Sequence, residues 1–166
     1  LDRRPCEQVP RIKELLERKS KWQDYLREQK TSAKIPIQRL RLLHDLRRAL
    51  PRDAIVAAAS GSTNKWFDYG FEALVHNLGV GSWHPMGGEF TECLGIKVAL
   101  PERVVVCVTG DGSLMMSLPE IATAVAFNIP ILCVVCHNAV FGNMRYTQIK
   151  RFGGRFIGTE LLIPNL

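Results

Sequence analysis

Two short polar clusters carry the residues best suited to chemistry: Gly110-Asp111-Gly112-Ser113, and Asn138, 27 positions beyond Asp111. The first follows the apolar run RVVVCVT (103–109) and the second follows ILCVVC (131–136). Two glycines let the backbone approach an anion closely, and turn amides with a helix start beyond them offer a positive cradle for phosphate. An acidic residue in the middle of that cradle would repel a phosphate unless a cation sat between them. Asp111 therefore suits a hard, oxygen-seeking ion such as Mg²⁺ bridging protein and diphosphate. Asp-Gly is also a common turn pair, so the tetrapeptide alone reads equally well as a plain loop. The setting decides more: if the two strands are neighbours, the Asn138 side-chain oxygen and the Asp111 carboxylate can meet on one ion.

The elements that must position these clusters alternate along the chain. Asp53–Ala59 (DAIVAAA) reads as a buried strand, Gly87–Leu100 as a helix, Arg103–Thr109 as a strand, Leu118–Phe127 as a helix starting near Leu118, and Ile131–Cys136 as a strand. Continuous apolar strands separated by helices imply an α/β fold, a doubly wound parallel sheet with helices on both faces. Ligands in such sheets bind outside the carboxyl ends of the strands, where the sequence places SGST, GDGS and HNAVFG. Ahead of this unit, apolar residues recur at helical spacing from Pro10 to Lys30. A linker, TSAKIP, and a second helix carrying Leu40, Leu43, Leu46 and Leu50 follow. Residues 1–35 are expected to be the tail of a preceding domain, and 36–166 the ligand-binding domain, incomplete at its C-terminus.

At GDGSLMMSLPEIATAVAFNIPILCVVCHN (110–138) the chain resembles the thiamine-diphosphate (ThDP) enzymes of the acetohydroxyacid synthase and pyruvate decarboxylase type. Their signature is a GDG, some two dozen residues, then a closing Asn-Asn; here the penultimate Asn is His137. The resemblance runs from about Pro36 to the C-terminus and covers their C-terminal diphosphate-binding domain. It implies ThDP and Mg²⁺ as cofactors, with metal ligands at Asp111, the Asn138 side chain and the Val140 backbone carbonyl. The cofactor positions it implies are Ser60, Gly61, Ser62, Thr63, His84, Met86, Gly110, Asp111, Gly112, Ser113, Asn138, Val140, Phe141 and Gly142. Met86 would wedge the bent cofactor, although core filling is the alternative reading. The His84 carbonyl would receive the pyrimidine amino group. A helix N-cap is an equal reading of residues 60–63.

In this family a glutamate from a different domain tautomerises the aminopyrimidine. No counterpart of its motif occurs here, so a pyrimidine-binding domain from another part of the protein or another subunit is expected, in a homodimer or tetramer. The resemblance implies a 2-oxo acid substrate such as pyruvate, decarboxylated and then passed to carboligation or acetyl transfer. Met144 stands where pyruvate decarboxylase-like members carry a Glu, which favours a synthase. The His-Asn pair is similar to sulfoacetaldehyde acetyltransferase. A simple 2-oxo acid decarboxylase and a non-catalytic diphosphate-binding subunit needing a partner chain stay as alternatives. FAD is conceivable in a full-length protein but nothing in these residues indicates it.

Bulk properties exclude other classes. The chain has 166 residues, 46% hydrophobic and 23% charged, enough for one ordinary core. Its net charge of +6 is not a nucleic-acid signature, because residues 1–52 hold 15 Lys or Arg against 7 acids and the remainder 7 against 9. No apolar run is long enough to span a membrane, and a cytoplasmic location is expected. Neither GxGxxG after the first strand nor GxxxxGK[ST] is present, which argues against a plain nucleotide binder. Cys133 and Cys136 form a CxxC inside a strand, where an i, i+3 pair points to opposite faces, so both are expected to be structural. Glu89 and Glu92 are expected to face solvent. Gln148, Arg145 and Arg155 could reach a substrate carboxylate, with a solvated segment an equal alternative. His44 and His76 carry no functional expectation.

Overall fold

The computed structural model describes residues 10–72, 77–79 and 85–163. Seven helices and four strands alternate among them: α1 (Pro10–Lys30), α2 (Arg39–Ala49), β1 (Ile55–Ala58), α3 (Ser62–Gly70), β2 (Asn77–Gly79), α4 (Gly88–Ala99), β3 (Val105–Gly110), α5 (Asp111–Ser117), α6 (Glu120–Ala126), β4 (Leu132–Cys136) and α7 (Gly142–Phe152). The strands form one sheet in the order β2-β1-β3-β4, every neighbouring pair parallel. The chain leaves β1 towards β2, then crosses back to β3 on the other side. That reversal is the switch point of a doubly wound sheet, and it opens a crevice at the carboxyl ends of β1 and β3.

Period-two alternation sends each strand's side chains into two separate cores. Val56, Ala58, Val106 and Val108 pack with Leu43 and Leu46 of α2 and Phe67 of α3 on one face. Ala57, Val105 and Cys107 pack with Phe90, Cys93 and Leu94 of α4 and Leu114 of α5 on the other. Cys133 joins the second core and Cys136 the first, so the CxxC pair does lie on opposite faces of β4. The amphipathic α1 rests on α2 through the buried Leu26, with an edge-on Trp22–Tyr69 contact at 6.0 Å and a Lys30–Glu72 ion pair at 2.9 Å.

Two expectations change here. The helix after GDGS begins at Asp111 itself and ends at Ser117; Pro119, which has no N–H to continue the ladder, separates it from α6. Glu89 does not face solvent. It is fully buried, and the Thr109 hydroxyl at the end of β3 donates to its Oε1, while Oε2 has no partner among the described residues. Residue 89 lies in the first turn of α4, which packs over the end of β3, so helix phase alone turns the carboxyl inward. Glu92 is partly exposed, and burial together with the neighbouring Glu89 charge raises its pKa.

Truncating Phe67 to Ala empties the centre of the first core and is expected to cost about 3–5 kcal/mol, read by denaturant unfolding. Glu89→Ala removes a buried side chain and leaves the Thr109 hydroxyl only the Gly110 carbonyl at 3.1 Å, and is expected to cost about 1–3 kcal/mol, whereas Glu89→Gln keeps a partner in place and should unfold close to the parent. Equal midpoints for the Ala and Gln variants would show that the Thr109 contact contributes nothing.

Candidate functional site at the strand switch point

The site is assembled from the ends of three adjacent strands. β1 delivers residues 60–63 into the start of α3, β3 delivers residues 110–113 into α5, and β4 delivers residues 137–142 into α7. These loops surround a cavity of about 350 Å³ whose walls include residues 60–63 and 110–113 with Met86, Asn138, Val140, Phe141 and Gly142. His84 lies outside the described residues, as does His76. Every other position singled out for the cofactor faces this one space.

Asp111 joins the two central loops. Its residue is 3% exposed, and three backbone amides donate to its carboxylate. Gly112 N donates to Oδ1 at 2.7 Å, while Asn138 N and Ala139 N donate to Oδ2 at 2.9 and 2.6 Å. His137 Nδ1 stands 3.0 Å from the same Oδ2. A carboxylate oxygen has two lone pairs, so Oδ2 is saturated and Oδ1 keeps one acceptor site. Asn138 Oδ1 accepts from Val140 N at 3.1 Å, folding the loop into an Asx turn and also leaving one lone pair. Val140 forms an antiparallel bridge with Glu160, but the bonds run from Phe141 N to Thr159 O and from Leu161 N to Ala139 O, so neither uses the Val140 carbonyl. The available donors are thus a carboxylate, an amide oxygen and a peptide carbonyl. That all-oxygen set suits a hard divalent cation and not a thiophilic one.

Space for a ligand is kept by small residues. A Cβ on Gly142 would lie 3.2 Å from Ser62 Oγ and 3.5 Å from Asn138 Nδ2, and one on Gly112 would lie 2.7 Å from Leu161 Cδ1. Gly87 serves a different purpose. Its φ of +83° turns the chain into α4, its N–H donates to Ser113 Oγ at 2.8 Å, and a Cβ there would meet Met116 Cβ at 3.0 Å. Met86, 37% exposed, is thereby fixed against the wall formed by Ser113. The N-termini of α2, α3 and α7 all reach the cavity, giving one end of it the positive polarisation that anions favour.

Several participants gave no signal in the sequence. Arg39 lines the cavity from the first residue of α2. A helix that leads into a parallel strand starts near that strand's carboxyl end, a rule that places the first turn of α2 but leaves open which of its side chains faces the cavity. Thr159–Leu161 straps the 139–141 loop, with Thr159 2% exposed. Asn143 and Met144 line the mouth, and Lys65 Nζ holds Asn143 Oδ1 at 2.9 Å. The residues expected to reach a substrate acid are engaged elsewhere. Arg145 stands 3.7 Å from Glu160 and stacks on Phe156, Gln148 bonds the Ile157 backbone twice, and Arg155 donates to Phe152 O.

Comparison with known proteins agrees with this architecture. Residues 59–165 match the family described as thiamine pyrophosphate enzyme, C-terminal TPP binding domain. The chain is 34% identical over 122 residues to sulfoacetaldehyde acetyltransferase of Castellaniella defragrans, covering 72% of this chain and 20% of that protein. It is 37% identical over 93 residues to the acetolactate synthase large subunit of Haemophilus influenzae, covering 56% and 16%. The fold superposes on the thiamine diphosphate-dependent 4-hydroxybenzoylformate decarboxylase of Rhodococcus jostii RHA1 with a TM-score of 0.71 at 24% identity, over 82% of this chain and 26% of that one. The chain spans about a fifth of the length of these relatives. With a family match across the loops that build the cavity, the chain belongs to the thiamine pyrophosphate enzymes, as their C-terminal TPP-binding domain.

Proposed function

We propose that this chain forms the diphosphate-binding half of an acetolactate synthase-like active site, in an enzyme that decarboxylates a 2-oxo acid such as pyruvate and transfers the remaining acyl unit to an acceptor. The single observation that carries the reading is the Asp111 carboxylate, tied by amides to the Asn138 loop and left with one open acceptor site in a cavity that Asn138 and Val140 also line. Asp111 Oδ1, Asn138 Oδ1 and the Val140 carbonyl would hold Mg²⁺, and the converging helix N-termini would receive the diphosphate. Ser62 and Thr63 hydroxyls stand beside Gly142 and Gly110 and can bond phosphate oxygens. Bound there, ThDP supplies its own carbon nucleophile, and the protein positions and desolvates it.

Met86 presents an apolar edge into the cavity and can bend a ligand across it, while its Gly87 anchor keeps it from retreating. Asp111 is the one acid among the described lining residues, and it is committed to the loop amides. Among the described lining residues no carboxyl is therefore free to donate the proton that a simple decarboxylase delivers after losing CO₂, and the apolar Met144 lines the cavity. That favours acyl transfer over protonation. It also requires the glutamate that tautomerises the aminopyrimidine to come from a second domain or a second copy, in keeping with a dimer or tetramer. The His137-Asn138 pair and the sulfoacetaldehyde acetyltransferase likeness support acetyl transfer to a small acceptor as a second reading.

Asp111→Ala in the native protein is expected to weaken ThDP binding on the order of 100-fold and to abolish its Mg²⁺ dependence, measured by titrating each in the presence of the other. Unchanged affinity would remove the assignment. Assaying pyruvate with and without candidate acceptors separates the reactions: acetolactate or an acetylated acceptor supports acyl transfer, and free acetaldehyde alone supports a decarboxylase. Cys136 supplies a further check. It lines the cavity, and burial is the main cause that pushes its thiol pKa up. Alkylation is expected to be slow at neutral pH, to accelerate only as alkaline pH generates thiolate, and to be slowed further by ThDP with Mg²⁺. Mass spectrometry of the modified peptide reports all three.

A further inference from the structure

We propose that Arg39 binds the terminal phosphate of the diphosphate, as the cation that balances the charge the metal leaves over. The inference rests on the reading of the site as a diphosphate pocket, and adds to it a residue outside the strand-end loops. Arg39 and Asp111 are the only charged side chains among the described residues lining the cavity. One of the two charges of a bound Mg²⁺ is offset by Asp111 itself, so the ion cannot neutralise a diphosphate alone. A second cation is needed at the phosphate end. No ion pair among the described residues uses Arg39.

The guanidinium lies over an aromatic ring. Its carbon lies 5.5 Å from the centroid of the Trp66 ring, on α3, one turn beyond Ser62. Ser62 in turn faces Gly142 at the start of α7. Arg39 therefore stands on the side of the cavity formed by the N-terminal turns of α3 and α7, and lines it together with Ser62, Cys136 and Gly142. A guanidinium near an aromatic face keeps its N–H groups available for an oxyanion, which it can bind through two parallel hydrogen bonds. A substrate carboxylate offers the same chemistry, but the helix-terminus geometry favours phosphate.

The test compares ThDP with thiamine monophosphate, which lacks the terminal phosphate, in the native protein with Mg²⁺. Arg39→Met is expected to weaken ThDP about tenfold or more, the size of one charge-assisted hydrogen bond, while leaving thiamine monophosphate affinity unchanged; Arg39→Lys should recover part of the loss. A merely structural role would weaken both ligands alike and lower the unfolding midpoint, and that result overturns the proposal. So does an unchanged ThDP affinity with a raised KM for the 2-oxo acid, which would assign Arg39 to the substrate. If Asp111→Ala also leaves ThDP affinity intact, the diphosphate reading itself fails; if only the Arg39 variants are silent, that reading stands and this inference falls.

Discussion

The carboxylate of Asp111 is the interaction on which the site depends, because it closes a loop of structure that the sheet alone would leave open. β3 and β4 run side by side in parallel, and their carboxyl ends would otherwise carry two independent turns. Three amide hydrogen bonds from Gly112, Asn138 and Ala139 converge on one buried acid and fix those turns relative to each other. Bonds to an ionised group are stronger than neutral ones, and burial removes the water that would compete for them. Asp111 thus performs two tasks with its two oxygens: Oδ2 builds the loop, and Oδ1 keeps an acceptor for a ligand. A carboxylate whose lone pairs were all spent on structure could not do the second.

Around that acid the neighbouring elements act as supports. The Thr159–Leu161 strap holds the 139–141 loop from outside, and Ala139 adopts a φ of +53°, a strained conformation for a residue with a Cβ. Such a conformation persists when surrounding bonds over-determine it, which the strap and the Asp111 contact together do. On the opposite wall, Ser113 links α5 to the Met86–Gly87 turn, so the apolar edge of the cavity and its polar floor share one anchor. Glu89 and Thr109 form a buried polar contact directly behind this floor. A half-satisfied carboxyl in a core is costly, and its retention next to the site ties the end of β3 to α4 where the turn begins.

The division of labour between this chain and the rest of the enzyme follows from its lining. The cavity provides oxygen donors, helix termini, an apolar edge and one cation, all of them suited to holding a ligand. Its one carboxylate among the described residues is committed to loop amides. The described lining is thus that of a binding surface, and the proposed reading assigns reactivity to the cofactor and to residues outside it. A domain covering a fifth of the length of its relatives is consistent with that partition.

The fold class was legible in the sequence because it rests on local patterning: apolar runs such as RVVVCVT have no helical period, and Leu43 and Leu46 do. The loops after the strands were legible for the same reason, since a parallel sheet puts ligands at its carboxyl ends whatever the strand order. Asp111 and Asn138 could be paired from a spacing of 27 residues because that interval is long enough for a helical crossover and one strand, which the structure fills with α5, α6 and β4. What the sequence could not supply was orientation. Whether Glu89 points inward depends on how α4 rotates over β3, a question of helix phase against a surface made elsewhere in the chain. Arg39 is 72 positions before Asp111 and reaches the cavity from the first residue of α2 through the way that helix seats against the sheet. Those placements are set by packing between distant segments, and they became visible only when the tertiary structure brought the segments together.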